Sequence, residues 1–215
     1  DVTATGGTLN ASYTTLKGAF DAINAGTHTG TITIGLSGNT TETAPAVLNA
    51  SGSGAASYTT ISVSTTGGAA RPVSGAIVAG SPLIDFNGAD NVTVDGLNSG
   101  GNSLTIENTT VSATSGTSTI RFIGGATGNT ITNCSVKGAG TMSVATNGAT
   151  IFFSTDAVTA NGNDNNTISN CDIGPSGANL ATKGILGNGS TSTTAIGNSG
   201  IIITNNDIHD YFGAA

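Results

Sequence analysis

Asn91-Val-Thr-Val-Asp-Gly-Leu97, Asn129-Thr-Ile-Thr-Asn-Cys-Ser-Val136, Asn166-Thr-Ile-Ser-Asn-Cys-Asp-Ile173 and Ile201-Ile-Ile-Thr-Asn-Asn-Asp-Ile208 can be laid over one another. Aligning Val94, Ile131, Ile168 and Ile203 gives offsets of 37, 37 and 35 residues. The residue two places later is Gly96, Asn133, Asn170 and Asn205. Gly and Asn enter the left-handed αL conformation most readily. Each copy therefore encodes a short strand, a sharp bend and a second short strand. Repeats of this length built on strands mark a solenoid. The expected fold is all-β: a single right-handed parallel β-helix of about six coils, its hand following the general preference of parallel crossovers.

Outward from the repeat, six alternating apolar runs mark successive turns: Thr31–Leu36, Thr60–Ser64, Leu83–Phe86, Thr119–Ile123, Thr150–Ser154 and Gly184–Leu186. Period-2 alternation is the mark of half-buried strands. Anchored on Ile32, Ile61, Ile84, Ile120, Ile151 and Ile185, the steps are 29, 23, 36, 31 and 34 residues. Uneven steps imply loops of different length at solvent corners. Third strands are expected at Leu104–Glu107 and Met142–Val144. Phe86, Phe122 and Phe153 fall at one stacked position and form an internal aromatic ladder. Arg121 falls one rung from Asp85 on the outer face, where a charge pair stabilises by about 0–1 kcal/mol. Cys134 and Cys171 are one repeat apart, hence on neighbouring rungs about 4.8 Å apart. Side chains there point the same way, which favours two free, buried thiols; a disulfide stays open on distance. Two Cys without a nearby His do not make a zinc site.

The first segment differs. In Tyr13-Thr-Thr-Leu-Lys-Gly-Ala-Phe-Asp-Ala-Ile-Asn24, Leu16, Phe20 and Ile23 recur at helical spacing. Thr14 or Thr15 serves as N-cap and Asn24-Ala-Gly26 as stop. Residues 1–30, with an amphipathic helix over 14–24, are read as an N-terminal cap of the kind solenoids place at their ends. Residues 31–215 are read as the β-helix, continuing in a longer parent chain. After Ile208 the chain reads His209-Asp-Tyr-Phe-Gly-Ala-Ala215, with no amphipathic segment to cover the last rung. Ile201, Ile203, Asn205, Tyr211 and Phe212 are therefore candidates for an assembly surface.

Composition narrows the function. Only 8% of the 215 residues are charged, while 37 are Thr, 22 Asn and 33 Gly; an ordinary globular chain is about 25% charged. Such Thr/Asn/Gly-rich, Lys-poor chains are common among secreted surface proteins, so an extracellular location is expected. The net charge is −7, and the cations Lys17, Arg71, Arg121, Lys137 and Lys183 form no run, which argues against nucleic acid. No stretch approaches the ~18 apolar residues of a membrane span. The chain opens at Asp1 without a basic and apolar leader, so any secretion signal is expected to lie outside it.

Three chemistries compete for the polar residues. Asn98, Ser135, Asp172 and Asp207 share one aligned position, which would put Asp172 and Asp207 one rung apart. Glycoside hydrolysis needs two carboxylates about 5–9.5 Å apart, so this pair is the weak catalytic candidate, with His209 and Asp210 just beyond. The alternative is that both are solvent-facing turn residues. Asn161-Gly-Asn-Asp-Asn-Asn166 and Asn205-Asn-Asp-Ile-His-Asp210 supply clustered oxygens for a hard cation, with Asp164, Asp207 and Asp210 as candidate calcium ligands. Neither stretch has EF-hand or β-roll spacing, and calcium is the one cofactor worth weighing. A regular two-column threonine lattice of the kind that would bind ice is missing from the repeats.

Tyr13–Asn24, Pro82-Leu-Ile-Asp-Phe-Asn-Gly-Ala-Asp-Asn-Val-Thr-Val-Asp-Gly-Leu97, Ser118-Thr-Ile-Arg-Phe-Ile123 and Asn165-Asn-Thr-Ile-Ser-Asn-Cys-Asp-Ile-Gly-Pro175 together carry a resemblance. The chain resembles the N-terminal β-helix region of very large secreted, adhesin-like surface proteins of Bacteroidota-type bacteria. That resemblance implies export, attachment at the cell surface and no shared catalytic motif. The leading expectation is a non-catalytic structural or adhesive module that contacts glycans, or the rest of a larger surface protein, through polar faces. Two other readings stand beside it: a subunit stacking head-to-tail on copies of itself into filaments, and a polysaccharide-active enzyme.

Overall fold

Alternating apolar residues, short polar corners and left-handed bends wind the chain into a parallel β-solenoid. The computed structural model describes residues 1–67, 69–97, 104–155, 161–189 and 193–212. The chain opens with β1 (Val2–Gly7), β2 (Asn10–Ala11) and helix α1 (Leu16–Asn24). The first turn is β3 (His28–Leu36), β4 (Thr40–Thr41) and β5 (Ala46–Asn49). The second is β6 (Tyr58–Thr65), β7 (Arg71–Gly75) and β8 (Pro82–Asn87), and the third β9 (Val92–Asp95), β10 (Leu104–Asn108) and β11 (Ser118–Ile123). The fourth is β12 (Thr130–Thr132), β13 (Ser135–Gly138) and β14 (Ile151–Phe153), and the fifth β15 (Thr167–Ser169), β16 (Asp172–Pro175) and β17 (Ile185–Gly187). A partial sixth turn holds β18 (Ile202–Thr204) and β19 (Asp207–Ile208).

Each turn thus visits three sheets in the same order. Sheet A runs β18-β15-β12-β9-β6-β3-β1-β2, sheet B β19-β16-β13-β10-β7-β4 and sheet C β17-β14-β11-β8-β5. All solenoid pairings are parallel; only β1 lies antiparallel on β3, with β2 on β1. The inside is a stack of Ile, Val, Leu and Phe with almost no exposure.

The expected single column of six strands is two columns. Ile32 pairs with Ile61 in sheet A, but Ile61 pairs next with Val92, whereas Ile84, Ile120, Ile151 and Ile185 stack in sheet C. The 23-residue step from Ile61 to Ile84 is therefore a passage across sheet B, not a short loop. Short apolar alternations look alike on all three sheets, so anchor spacing alone merged them. Met142–Val144 is not a strand: Met142 is buried in a loop, and β13 holds that rung of sheet B.

The bends follow the repeat in three copies of four. Asn133, Asn170 and Asn205 have φ of 56°, 53° and 54°. Gly96 does not adopt αL; Leu97 does, with φ 63°. Gly96 answers a different need, since a Cβ there would lie 1.9 Å from the Asn133 carbonyl oxygen.

Three internal devices hold the rungs. Phe86 and Phe122 stack at 5.2 Å and Phe122 and Phe153 at 4.7 Å, the latter within 10° of parallel; such offset pairs contribute about 0.5–1.5 kcal/mol beyond area burial. Buried asparagines form a second ladder. The Val92 N–H donates to Asn129 Oδ1 and the Asn129 N–H to Asn166 Oδ1, each at 2.9 Å. At the preceding corner the Ala126 N–H donates to Asn163 Oδ1 (3.0 Å) and the Asn163 N–H to Asn198 Oδ1 (3.1 Å). These amides satisfy corner N–H groups that the strand ladders cannot reach. Cys134 and Cys171 are free and buried, and the position one rung on is Asn206, whose Oδ1 accepts from the Cys171 N–H at 2.9 Å.

The N-terminal cap is tied down by polar contacts. Thr15 is the N-cap of α1 and accepts from the Gly18 N–H. Leu16, Ala19, Phe20 and Ile23 bury the apolar face. The Glu42 carboxylate, itself buried, accepts from the Leu16 N–H (2.8 Å) and the Lys17 N–H (3.1 Å), where the positive end of the helix dipole favours an anion. Asn24 closes the outer edge of β5, donating to the Val47 carbonyl (2.8 Å) and accepting from the Asn49 N–H (3.0 Å).

Candidate functional site

Two outer faces carry the chemistry. On sheet A the residues between the buried Ile and Val positions point outward. Their registers give one column of Thr33, Ser62, Thr93, Thr130 and Thr167, ending at Ile202. A second column runs Ser64, Asp95, Thr132, Ser169 and Thr204. Among the described residues these columns make a face of mostly hydroxyl side chains, with Asp95 and Ile202 among them. Rungs of one column are about 4.8 Å apart. Thr is stiff at χ1, so these hydroxyls are presented with little rotamer freedom. Ser169 Oγ donates to Thr132 Oγ1 at 3.0 Å. Asp95 is bound into the face, accepting from the Leu97 N–H (2.7 Å) and from Asn133 Nδ2 (2.9 Å).

On sheet B, Ser135, Asp172 and Asp207 are in register, as expected. Asn98 lies outside the described residues, and Thr105 holds the place above Ser135. Asp172 is the centre of a charge cluster. Its Oδ2 accepts from Lys137 Nζ (2.7 Å) and Ser135 Oγ (3.0 Å), and its Oδ1 faces His209 Nε2 at 2.7 Å. His209 Nδ1 lies 2.9 Å from Asp210 Oδ2. Gly174 makes room for this, since a Cβ there would lie 2.7 Å from the His209 ring and 3.3 Å from Lys137 Nζ. Partial burial pushes the Asp172 carboxyl up, but hydrogen bonds from Lys137, His209 and Ser135 outweigh it and hold the pKa below 3.8. Hydrogen bonds to Asp210 and then Asp172 hold the His209 imidazolium, raising its pKa above 6.5.

The arrangement is a clasp across three rungs. Both Asp172 oxygens are engaged by neighbours. Two cavities lie away from this cluster, one at the α1 corner lined by Tyr13, Leu16 and Ile34 and one at the last turn lined by Phe153 and Ile185. The calcium candidates are dispersed. Asp164 Oδ1 accepts from the Ser199 N–H (2.7 Å) and Ser199 Oγ (2.8 Å) at the corner before sheet A, whereas Asp207 and Asp210 lie beyond the next bend. Among the described residues no group of three or more His, Cys, Asp and Glu is placed to hold a metal ion.

The assembly candidates divide. Ile203 and Phe212 are 48% and 75% exposed, and Ile202 joins them at 54%. Ile201 is half-buried against the core and Asn205 makes the bend. Tyr211 instead folds back: burial pushes its pKa up to about 12, and its hydroxyl donates to Thr150 Oγ1 at 3.2 Å. On sheet C, Arg121 and Asp85 meet as expected, through Nε–Oδ1 at 2.9 Å and Nη2–Oδ2 at 2.7 Å, with Asp85 buried.

Sequence reasoning missed Lys137, Glu42 and the asparagine ladder. The ladder had a signal: Asn129 and Asn166 begin two of the aligned repeats at the 37-residue offset. Glu42 had none, because its partner is a helix end 25 residues upstream. No protein-family model matches the chain, and no curated protein and no solved structure matches it.

Proposed function

We propose that the chain is a non-catalytic structural and adhesive module of a bacterial extracellular surface protein, and that it contacts glycans through the outer face of sheet A. The observation that carries this reading is the pair of outward columns, Thr33 to Thr167 and Ser64 to Thr204. An extended, nearly uncharged row of hydroxyls at strand spacing offers many weak hydrogen bonds to a linear polyhydroxylated chain. Each bond contributes little on its own, about 0.5–1.5 kcal/mol net, so contact comes from repetition. The tie of α1 to Glu42 and Asn24 weighs against head-to-tail stacking, since a second copy would meet a closed end.

The test is a glycan array probed with the chain and with a Thr93→Val, Thr130→Val, Thr167→Val variant. Valine keeps the shape and removes the hydroxyls. The reading expects selective glycan binding that falls by about tenfold or more in the variant, with an unchanged circular dichroism spectrum. Absence of binding to any arrayed glycan, or equal binding by the variant, contradicts it.

A further inference from the structure

The two cysteines of the core form a stacked pair. Cys134 and Cys171 follow the bends at Asn133 and Asn170. The strands on either side are in register, Thr132 with Ser169 and Ser135 with Asp172. Both cysteines are free and each is 2% exposed. Their sulfurs sit in matching places. Cys134 Sγ lies 3.1 Å from the Thr132 carbonyl oxygen and 3.8 Å from that of Val94. Cys171 Sγ lies 3.2 Å from the Ser169 carbonyl oxygen and 3.7 Å from that of Ile131. Matched distances mean one rotamer on both rungs, so the sulfurs are offset by one rung, about 4.8 Å.

That separation decides between two ways of joining them. A disulfide needs sulfurs ~2.05 Å apart and Cβ atoms ~3.5–4.5 Å apart, which parallel side chains on neighbouring rungs do not reach without moving the backbone. Metal–thiolate bonds are ~2.3 Å long, so an ion midway between sulfurs one rung apart meets both in a straight line. Linear two-coordination is the preference of soft monovalent cations with a filled d shell, and thiolates favour Cu(I). Zinc is unsuited, because its sites take four ligands. Among the described residues no group of three or more His, Cys, Asp and Glu is placed to supply them. The pair already shares a proton. The hydrogen bond between the two thiols raises the Cys134 pKa well above 9.0 and lowers that of Cys171 below it, and the Cys134 N–H also faces the Cys171 sulfur.

We propose that Cys134 and Cys171 form a two-coordinate site for a soft monovalent cation, Cu(I) in biology, held between the two sulfurs at the corner that joins sheets A and B. Each thiol gives up its proton to solvent and two S–Cu bonds form. Copper keeps its +1 state throughout, so no oxidant or reductant takes part. The next rung of the stack ends the site. There the Asn206 amide is engaged on both sides, Oδ1 by the Cys171 N–H and Nδ2 by the Ile168 carbonyl, each at 2.9 Å, and the ion keeps two ligands. The site is independent of the sheet A hydroxyl face.

The experiment titrates Cu(I), buffered without oxygen by the chelator bathocuproine disulfonate, into the reduced and folded chain. The expected result is one ion per chain drawn from the chelator, with release of the thiol protons. X-ray absorption of the product should show two sulfur neighbours and no others. Cys134→Ser and Cys171→Ser are each expected to weaken uptake by about 100-fold or more, and excess Zn(II) to leave uptake by the parent chain unchanged. Cys134→Ala and Cys171→Ala make the same comparison if a serine variant does not fold. No uptake, uptake only by chain unfolded in urea, single-cysteine variants that bind as the parent does, or displacement by Zn(II) overturns the proposal.

Discussion

The first and last described turns of this solenoid are built on the same rung but finished differently. At the N-terminal end the edges of sheets A and C and the apolar core are covered. β1 pairs with the edge of β3, α1 lays Phe20 and Ile23 over the core, Asn24 occupies the edge of β5, and Glu42 occupies the amides at the start of α1. Among the described residues β17, β18 and β19 are each the last strand of their sheet. There Ile202 and Ile203 are about half exposed, whereas Ile168, one rung inward from Ile203, is fully buried. The contrast shows that a cap is a set of specific polar contacts added to an apolar lid. The lid alone would leave orphan N–H groups, and the contacts alone would leave the core wet.

The sharpest way to break this contrast is to truncate one residue at each end. Phe20→Ala removes a fully buried ring from under the cap and is expected to cost about 3–5 kcal/mol, read as a fall in the urea midpoint. Ile203→Ala at the open end is expected to change the midpoint by less than about 1 kcal/mol, because little burial is lost. Equal losses would mean that the C-terminal end is as well covered as the N-terminal one.

A second comparison concerns the polar ties. Glu42→Gln keeps the shape but removes the charge that meets two helix amides, and is expected to destabilise by about 1–3 kcal/mol. Hydrogen exchange should localise the effect to α1. Within the asparagine ladder, Asn166→Ala leaves the Asn129 N–H and the Ala126 carbonyl without their partner; the expected cost is about 1–3 kcal/mol. Asn206→Ala, in the last rung, should cost less.

The smallest expected effect is electrostatic. His209 has a folded pKa above 6.5, so its contribution is fully present below 6.5 and is lost as pH rises through the folded value. Asp172 has a folded pKa below 3.8, so its contribution is present above 3.8 and is lost as pH falls through the folded value. The clasp between β16 and β19, with Lys137 and Asp210 facing it, is therefore strongest between about pH 4 and 6.5. Both side chains are about one-third exposed, which keeps the effect below about 1 kcal/mol. Protection of the His209 amide, which donates to the Ile173 carbonyl, measured against its intrinsic exchange rate at each pH, should fall above that window, and in His209→Ala that fall should be lost.

Legibility in the sequence follows the range of the interactions. The bends at Asn133, Asn170 and Asn205, the Phe86–Phe122–Phe153 stack, the paired free thiols and the helix beginning after Thr15 were readable because each is local or recurs at the repeat length. The assignment of strands to sheets was not, because Ile61 and Ile84 sit in equally plausible alternations and only pairing separates them. Gly96 looked like a bend residue and is instead a close approach. At the candidate sites, the Asp172–Asp207 register was visible, but not the role of Lys137, which reaches Asp172 only because β13 and β16 are neighbours. The sheet A hydroxyl columns were hidden for a related reason. Thr33, Ser62 and Thr93 are separated by steps of 29 and 31 residues, unlike the 37-residue repeats that drew attention.

The most direct test of an end-to-end difference is hydrogen exchange resolved strand by strand. The account expects amides of β3, β5 and α1 to exchange at rates set by global unfolding, and those of β18 and β19 to exchange through local opening, orders of magnitude faster. Uniform protection from β3 to β19 would contradict it, and would mean that the last rung is as firmly held as the first.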